Sequence, residues 1–244
     1  MVLQAETSVE GAATFWRDAS KRIIDVVLSA FGLLLLLPVF ALIAAAILLD
    51  DGGPVVYRQM RVGRGGRAFA INKFRSMTVG QSGGHSHLTI AGDQRVTRIG
   101  RFLRRTKLDE LPQLANVLLG DMSLVGPRPE THDLFVHYTP AQRAVMSSVR
   151  PGMTDWASLI LRDEGALLAG ASNPANFYRE CLMPLKYELC MHYVRQIAPL
   201  TDLRIIFATL HAIALPNKCN PWIDPALAGR LDLERLYEGG RDPQ

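Results

Sequence analysis

Residues 26–49, VVLSAFGLLLLLPVFALIAAAILL, contain no charged side chain and are interrupted near their middle by Pro38. A helix of about 20 residues crosses a hydrocarbon core of ~30 Å, and helices of soluble proteins rarely stay apolar on every face for so long. Proline lacks an N–H group and crowds the carbonyl four residues earlier, so a helix bends easily at this position. The sequence therefore predicts a membrane segment with a bend.

Two topologies fit this apolar segment. In the first, one helix spans the bilayer with a proline kink, which neighbouring polar groups accommodate. In the second, two half-helices enter and leave by the same face. Basic residues on both flanks favour the second topology: Lys21, Arg22, Arg58, Arg61, Arg64, Arg67, Lys73 and Arg75. The apolar pattern alone favours the kinked span. A secretory signal fits poorly, because the apolar run is about twice the usual length.

The distribution of charge divides the chain. The 244 residues are 48% hydrophobic and 20% charged, which is enough for one domain in addition to the apolar segment. Residues 58–107 carry twelve Lys and Arg and the single acid Asp93, whereas the whole chain has a net charge of only +4. Clustered cations bind nucleic acids, anionic lipids or phosphorylated substrates, and the adjacent apolar segment favours the last two.

The three cysteines are Cys181, Cys190 and Cys219. Their number is odd and their spacing matches neither a metal site nor a redox motif, which is typical of a reducing cytoplasm.

A β-hairpin is predicted directly after the apolar segment. Residues 55–62 and 67–75 have the composition of strands, and the glycines between them permit the positive φ angles of a tight turn. Side chains alternate along a strand, so Lys73 and Arg75 are expected side by side on one face.

A basic amphipathic helix is predicted next, after a loop (76–94) rich in Gly, Ser and His. His85 and His87 in this loop form only a weak candidate metal site. The helix has an apolar stripe of Val96, Ile99 and Leu103. Its other faces carry Arg95, Arg98, Arg101, Arg104 and Arg105. These arginines are either solvated or in contact with anionic lipid.

An acidic pair, Asp109 and Glu110, follows the basic helix. Pro112 is tolerated where helical N–H groups lack partners, so a new helix is expected to begin near Asp109 and to end at Gly120. The helix N-terminus and the preceding cations would favour an ionised carboxylate. Such an anion suits a nucleophile or a metal ligand. A simple helix cap is the plainer alternative at this point.

Arg128 lies between two prolines in Gly126-Pro127-Arg128-Pro129. The fixed φ angles on both sides hold the guanidinium on a stiff loop, where it could bind a phosphate in bidentate fashion. Arg150-Pro151-Gly152 repeats this arrangement in weaker form. Either stretch could be only a turn, and a turn is the preferred interpretation of the second.

Several stretches of sequence occur in the order found in one protein family: Lys21-Arg22 with Asp25 before the proline-broken segment, KFRSM (73–77), LDELPQL (108–114), GDMSLVGPRP (120–129) and Arg150-Pro151-Gly152. Over about residues 20–210 the chain resembles the monotopic phosphoglycosyl transferases, also called bacterial sugar transferases. The resemblance implies transfer of a phospho-sugar from a nucleoside diphosphate sugar, with a UDP-sugar as the expected donor, to polyprenyl phosphate.

The resemblance also implies roles for individual residues. Asp109 would be the nucleophile that forms a phospho-sugar intermediate, Glu110 its acidic partner, and both would bind Mg²⁺. Substrate phosphates would be bound by Arg128, Arg104, Lys73, Arg75 and Arg150. The membrane segment would be defined by Lys21, Arg22, Asp25 and Pro38, with Pro38 as the bend of a re-entrant helix, which reverses the preference for a span.

The expected fold is mixed α and β, mostly helical. A leader (1–20), a re-entrant helix (21–51), a catalytic domain with a small hairpin and amphipathic interfacial helices (52–215) and a tail (216–244) are predicted. The resemblance implies the bacterial inner membrane, a cytoplasmic catalytic domain and contact with lipids but not nucleic acid; a homodimer stays open. A membrane-tethered lipid-binding adaptor and a phosphohydrolase are the alternatives.

Two features of the C-terminal half depart from the family or stay open. Many family members have glycine where this chain has Asp155, and residues 161–180 do not resemble the family's sugar-side segment. Two amphipathic helices are predicted beyond them. Each could pack into the core or, in the second case, lie on the bilayer: Leu185, Leu189 and Tyr193, then Ile205, Ile206, Thr209 and Ile213.

Overall fold

The computed structural model describes residues 2–78, 92–162, 164–216, 218–223 and 227, with side chains from residue 18 onward. The fold is mixed α and β and mostly helical, as predicted. The helices are α1 (Val2–Leu35), α2 (Leu37–Asp51), α3 (Arg98–Thr106), α4 (Gln113–Leu119), α5 (His132–Phe135), α6 (Pro140–Met146), α7 (Trp156–Ile160), α8 (Glu164–Gly170), α9 (Pro174–Phe177), α10 (Met183–Arg195) and α11 (Pro199–Ala214). The strands are β1 (Val56–Val62), β2 (Ala68–Phe74), β3 (Ser123–Val125) and β4 (Gly152–Thr154).

The apolar segment forms the end of α1 and all of α2. The two helices meet at Leu36 with a bend of 59°, and only as a bent pair do they have the length and composition of a membrane span. No single helix of the described residues does so. The bend was predicted at Pro38 and lies two residues earlier. Pro38 occupies the first turn of α2, where helical N–H groups have no intrahelical acceptor. α1 continues through the predicted leader boundary at residue 20.

The predicted hairpin is present. β1 and β2 pair in antiparallel register from Val56 opposite Phe74 to Val62 opposite Ala68, and Gly65 in the turn has a φ of 67°. The hairpin packs on α4 through a small core of Phe69, Ile71, Val117 and Met122.

β3 and β4 form a two-residue parallel pairing. A Cβ atom on Gly152 would overlap the backbone of Gly126, and a Cβ atom on Gly126 would overlap the carbonyl oxygen of Arg150. Because neither glycine has a side chain, the two backbone segments can cross here, and the residues after β3 are held against β4.

The acidic pair does not lie on a long helix. α3 ends at Lys107, which has a left-handed conformation (φ 60°), and a 3₁₀ turn covers Leu108–Glu110. The predicted start of this helix near Asp109 is wrong, because α4 begins only at Gln113. Pro112 has no N–H to donate to the carbonyl four residues earlier, so a helix from Asp109 would lose a bond there.

The largest core fills the C-terminal half, between α6, α7, α8, α10 and α11. Leu185, Leu189 and Tyr193 are buried in it, so α10 packs into the core, which was one of the predicted alternatives. Ile205 is also fully buried, and the Thr209 hydroxyl shares a hydrogen bond of 2.7 Å with Thr154 on β4. The predicted bilayer face of α11 is therefore largely a packing face. Ile213 of this face is exposed, and the other exposed apolar side chains of α11 are Leu200, Leu203, Phe207 and Leu210.

The charged residues before the apolar segment bind the globular part of the protein. Lys21 Nζ donates to the carbonyl of Val125 at 2.8 Å and to the carboxylate of Asp202 at 2.6 Å. Arg22 donates to two carbonyls in the last turn of α4, at 2.6 and 2.9 Å. Asp25 accepts an N–H bond from β3 at 2.9 Å. These three residues were predicted as membrane residues, and the structure directs their side chains into the domain.

The acidic residues after the apolar segment also bind the globular part of the protein. Asp51 forms an ion pair with the buried guanidinium of Arg75. Asp50 accepts the N–H of Ile99 at 3.1 Å in the first turn of α3. Both ends of the apolar helix pair are thus attached to the same domain.

Candidate active site

Two cations converge on the carboxylate of Glu110. Lys73 on β2 donates to Oε1 at 3.1 Å, and Arg128 donates to Oε2 at 3.2 Å and to Oε1 through its other terminal nitrogen. The Glu110 side chain is only 13% exposed. The structure therefore brings together four predicted site residues: Asp109, Glu110, Lys73 and Arg128.

These contacts set the protonation of the cluster. Burial acts to raise the pKa of Glu110, but Arg128 and Lys73 outweigh burial and hold this pKa well below its usual range. The Glu110 carboxylate raises the pKa of Arg128. Burial lowers the pKa of Lys73 in spite of the attraction to Glu110. Glu110 is thus a fixed anion that orients two cations.

Asp109 has the opposite environment. It is 6% exposed, and its Oδ1 is buried without a hydrogen bond from any described residue. Burial and then the neighbouring Glu110 raise the pKa of Asp109, although Lys73 and Arg104 act to lower it. The predicted effect of the cations on this pKa is present, but burial and Glu110 outweigh it, and only a 3₁₀ turn begins at Leu108. A buried oxygen without a partner is energetically unfavourable unless a ligand or reacting group satisfies it.

Arg104 is the third predicted phosphate ligand near the pair. Its Nε donates to Ser76 Oγ at 3.0 Å, and a terminal nitrogen lies 3.5 Å from the sulfur of Met77. The guanidinium is only partly buried and is close enough to lower the pKa of Asp109. Ser76 and Met77 of the KFRSM stretch thus position the guanidinium of Arg104.

The other two predicted phosphate ligands lie elsewhere. Arg75 was expected beside Lys73, but β2 ends at Phe74 and Arg75 pairs with Asp51 at the end of α2. Arg150 donates to the carbonyl of Gly120 at 3.0 Å, at the end of α4. The alternation argument failed because it extended the strand one residue too far.

Two supporting residues were not predicted. Asp155 is buried and accepts the backbone N–H of Arg128 at 3.2 Å, while its other oxygen caps α7 through the N–H and hydroxyl of Ser158 at 2.7 and 2.6 Å. Asn116 joins α4 to β2 through Asn72 and the carbonyl of Ala70. Asn116 could have been found as a polar residue on the apolar face of α4.

Arg128 also lines a small hollow of about 10 Å³, which is room for roughly one water molecule. It is lined mainly by apolar side chains and by Arg128 and Glu130: Val62, Pro127, Phe135, Met146 and Pro151. Arg128 therefore contacts both Glu110 and this hollow, which is too small to hold a sugar or a nucleoside.

Asp109 fits a magnesium ligand better than Glu110 does. Its Oδ1 has no partner among the described residues, whereas both oxygens of Glu110 accept hydrogen bonds from cations. Within the described part of the chain, no three His, Cys, Asp or Glu side chains are grouped as a metal cluster. Mg²⁺ commonly takes one or two carboxylates and completes its shell with substrate phosphates and water. His85 and His87 lie outside the described residues.

Comparison with known proteins identifies the family of this chain. A family model described as bacterial sugar transferase matches residues 16–215. The UDP-glucose:undecaprenyl-phosphate glucose-1-phosphate transferase of Escherichia coli (strain K12) is 38% identical over 192 residues, which are 78% of this chain and 39% of that protein. The enzyme of the same name from Caulobacter vibrioides is 45% identical over 144 residues, 58% of this chain and 54% of the relative.

A third relative names a different sugar. The UDP-N-acetylgalactosamine-undecaprenyl-phosphate N-acetylgalactosaminephosphotransferase of Aeromonas hydrophila is 36% identical over 196 residues, 79% of this chain and 43% of that protein. The chain thus spans about half the length, or less, of these three relatives. Because the family model covers most of its residues, the chain belongs to the bacterial sugar transferase family.

Proposed function

We propose that this protein transfers a phospho-sugar from a UDP-sugar to polyprenyl phosphate, giving a polyprenyl diphosphate sugar and UMP. The names of the relatives support a UDP-sugar donor and an undecaprenyl phosphate acceptor. The reaction takes place at the bacterial inner membrane, with the catalytic domain on the cytoplasmic side. This reaction would be the first membrane step in assembling an envelope glycan.

The observation that carries the proposal is the contrast between the two neighbouring carboxylates. Glu110 is neutralised by Lys73 and Arg128, whereas Asp109 presents a buried oxygen without a partner in the described structure. A nucleophile must be free to form a bond, while a group that orients cations must be occupied. Environment therefore assigns different roles to two residues of the same chemical type.

In the first half-reaction, Asp109 attacks the β-phosphorus of the donor, the bond from that phosphorus to the bridging oxygen breaks, and UMP leaves. Arg128 and Arg104 bind the diphosphate oxygens and stabilise the charge that develops on them. Asp109 must be deprotonated to attack, and Arg104 and Lys73 favour that form.

In the second half-reaction, the phosphate of the polyprenyl acceptor attacks the phosphorus bound to Asp109 and restores the free carboxylate. One site can thus serve a soluble donor and a lipid acceptor in turn, with ping-pong kinetics. Asp109 would hold Mg²⁺ together with the diphosphate oxygens of the donor, and the metal would neutralise charge on the phosphates.

A re-entrant membrane segment belongs to the same proposal. Lys21 before the apolar segment contacts the domain through Asp202, and Asp51 after it contacts the domain through Arg75. In a spanning helix the two ends would lie ~30 Å apart on opposite faces of the bilayer, where one small domain cannot bind both. Attachment of both ends to one domain, with the 59° bend between them, therefore supports entry and exit by the same face.

The central test separates covalent from direct transfer. The purified protein is mixed with a UDP-sugar and radiolabelled UMP in the absence of lipid. A covalent intermediate exchanges label into the UDP-sugar, and direct transfer does not. We expect exchange in the wild type, its loss by about 10³-fold or more in Asp109→Asn, and a phospho-sugar adduct on the peptide that contains residue 109.

A matched control and the alternatives complete the test. Glu188→Gln neutralises an exposed carboxylate, as Asp109→Asn neutralises a buried one, and should leave exchange unchanged. Sugar phosphate released without polyprenyl phosphate would identify a phosphohydrolase. An Asp109→Asn protein that retains full biological activity would identify a non-enzymatic adaptor. Exchange that persists in Asp109→Asn would contradict the assignment of the nucleophile.

A further inference from the structure

The outer face of α3 carries cations that have no partner among the described residues. Arg98, Arg101 and Arg105 are exposed, and none of them forms an ion pair with any residue that the structure describes. The helix contains no acidic residue. Phe102, between these arginines, is 50% exposed. These three arginines and the exposed ring of Phe102 form a surface, here called the α3 basic face. This surface is separate from the active site, because among the arginines of α3 only Arg104 points inward, to Ser76.

The position of this face is fixed by the apolar helix pair. Leu103 on the opposite side of α3 is fully buried against Ile43 and Ile47 of α2. Asp50, at the carboxyl end of α2, binds the N–H of Ile99. α3 thus lies where the chain passes from apolar to polar residues, which is the level of lipid head groups for any helix inserted in a bilayer.

We propose that the α3 basic face binds anionic phospholipid head groups at the membrane surface. The guanidinium groups match the phosphates in charge and hydrogen bonding, and Phe102 enters the boundary between head groups and acyl chains. A basic residue near an anionic membrane strengthens association by roughly fivefold. The arginines would recruit anionic lipid around the site at which the lipid acceptor arrives.

This inference rests on the membrane placement given under the proposed function but not on the transfer reaction. Its test therefore contains no sugar donor. A soluble polyanion such as a nucleic acid is disfavoured, because α2 holds the face beside the most apolar part of the chain.

The experiment uses the full chain with Phe102→Trp as a reporter, reconstituted in vesicles of phosphatidylcholine with a minority of phosphatidylglycerol. Bromine in the acyl chains quenches nearby tryptophan and is placed either on phosphatidylglycerol or on an equal amount of phosphatidylcholine. The emission of the tryptophan at residue 102 is obtained by subtracting the emission of the parent protein, which has phenylalanine there. Leu42→Trp, at a 71% exposed position of α2, reports insertion of the apolar pair.

We expect brominated phosphatidylglycerol to quench residue 102 at least about twofold more strongly than brominated phosphatidylcholine, and salt to reduce the difference. Arg98→Gln, Arg101→Gln and Arg105→Gln together should abolish the difference. A control with the same loss of charge, Arg67→Gln, Arg179→Gln and Arg195→Gln, should preserve it, because these arginines are exposed on other elements.

Four results would overturn the inference. Equal quenching by the two lipids would mean contact without recruitment of anionic lipid. Quenching of residue 42 but not of residue 102 would mean that α3 lies away from the bilayer, as expected for a face that binds a soluble polyanion. A difference that survives the triple substitution on α3 would assign recruitment to other residues. Failure of residue 42 to be quenched would refute the membrane placement and this inference with it, while leaving the transfer reaction to its own exchange test.

Discussion

Gly100→Ala tests whether the contact between α3 and the end of the hairpin supports the active site. A Cβ atom at this position would lie 2.7 Å from the carbonyl carbon and 2.8 Å from the Cα of Ser76, and closer still to its carbonyl oxygen. Ordinary contact begins at 3.4 Å, so the two backbones would have to separate by about 0.7 Å to clear the carbonyl carbon and by more to clear the oxygen. Both obstructing groups are backbone, so neither can rotate away.

The separation would weaken two hydrogen bonds to Ser76. Its carbonyl accepts the N–H of Thr97 at 3.1 Å, and its hydroxyl accepts the Nε of Arg104 at 3.0 Å. Overpacking costs about 1–3 kcal/mol, and each weakened bond adds up to about 1 kcal/mol. We therefore expect Gly100→Ala to destabilise the protein by about 3 kcal/mol, which lowers Tm by roughly 6–12 °C in a domain of this size.

The substitution should also lower activity, because Arg104 moves relative to Asp109. A misplacement of about 1 Å can reduce a rate by roughly 10²-fold. Thermal unfolding in detergent and the UMP exchange rate measure the two effects. Gly170→Ala is the control, because a Cβ atom on this exposed residue of α8 meets nothing within 4 Å. Equal Tm and exchange rates in the two variants would refute the argument that Gly100 is required for close packing.

Three further predictions concern stability. The pKa of Glu110 is lower in the folded protein than in the unfolded chain, so the unfolded chain binds a proton at this carboxylate first as the pH falls. Tm should therefore decrease below about pH 4.5, and Glu110→Gln should make this decrease smaller. This comparison is made in Asp109→Asn, because the raised pKa of Asp109 acts in the opposite direction. Asp155→Ala removes three hydrogen bonds and should cost about 3 kcal/mol; chemical unfolding that shows no loss would contradict its positioning role. Lys21→Met leaves Asp202 buried without its cation and should cost about 3–5 kcal/mol by the same measurement, and added Asp202→Leu should recover most of it.

The sequence predicted those elements whose causes are local. The hairpin follows from strand composition and glycines in its turn, and α3 follows from the spacing of Ile99 and Leu103, both of which pack inward. The bend was displaced by two residues, since a proline can begin a helix as well as break one. That Arg128 lies near the acidic pair was inferred through the family resemblance, and the structure brings the two into contact.

Contacts between distant parts of the chain could not be predicted in this way. Lys21 and Asp202 are separated by 181 residues, and no local pattern relates them. The pKa of Asp109 depends on its burial, which follows from the packing of the whole site and not from the neighbouring sequence. The same holds for Asp155, which the sequence showed only as a departure from the family pattern. Its partner, the N–H of Arg128, lies on a separate loop.

The attachment of the apolar helices to the domain has a consequence for catalysis. α1 packs along α4, which follows the acidic pair, and α2 packs against α3, which precedes it. The turn that carries Asp109 is therefore held on both sides by elements that contact the apolar pair. A shift of either apolar helix must move α3 or α4, and hence the short turn between them, because the intervening packing is dense. Under the proposed function, this arrangement fixes the height of the reacting carboxylate relative to the membrane without any contact between Asp109 and lipid.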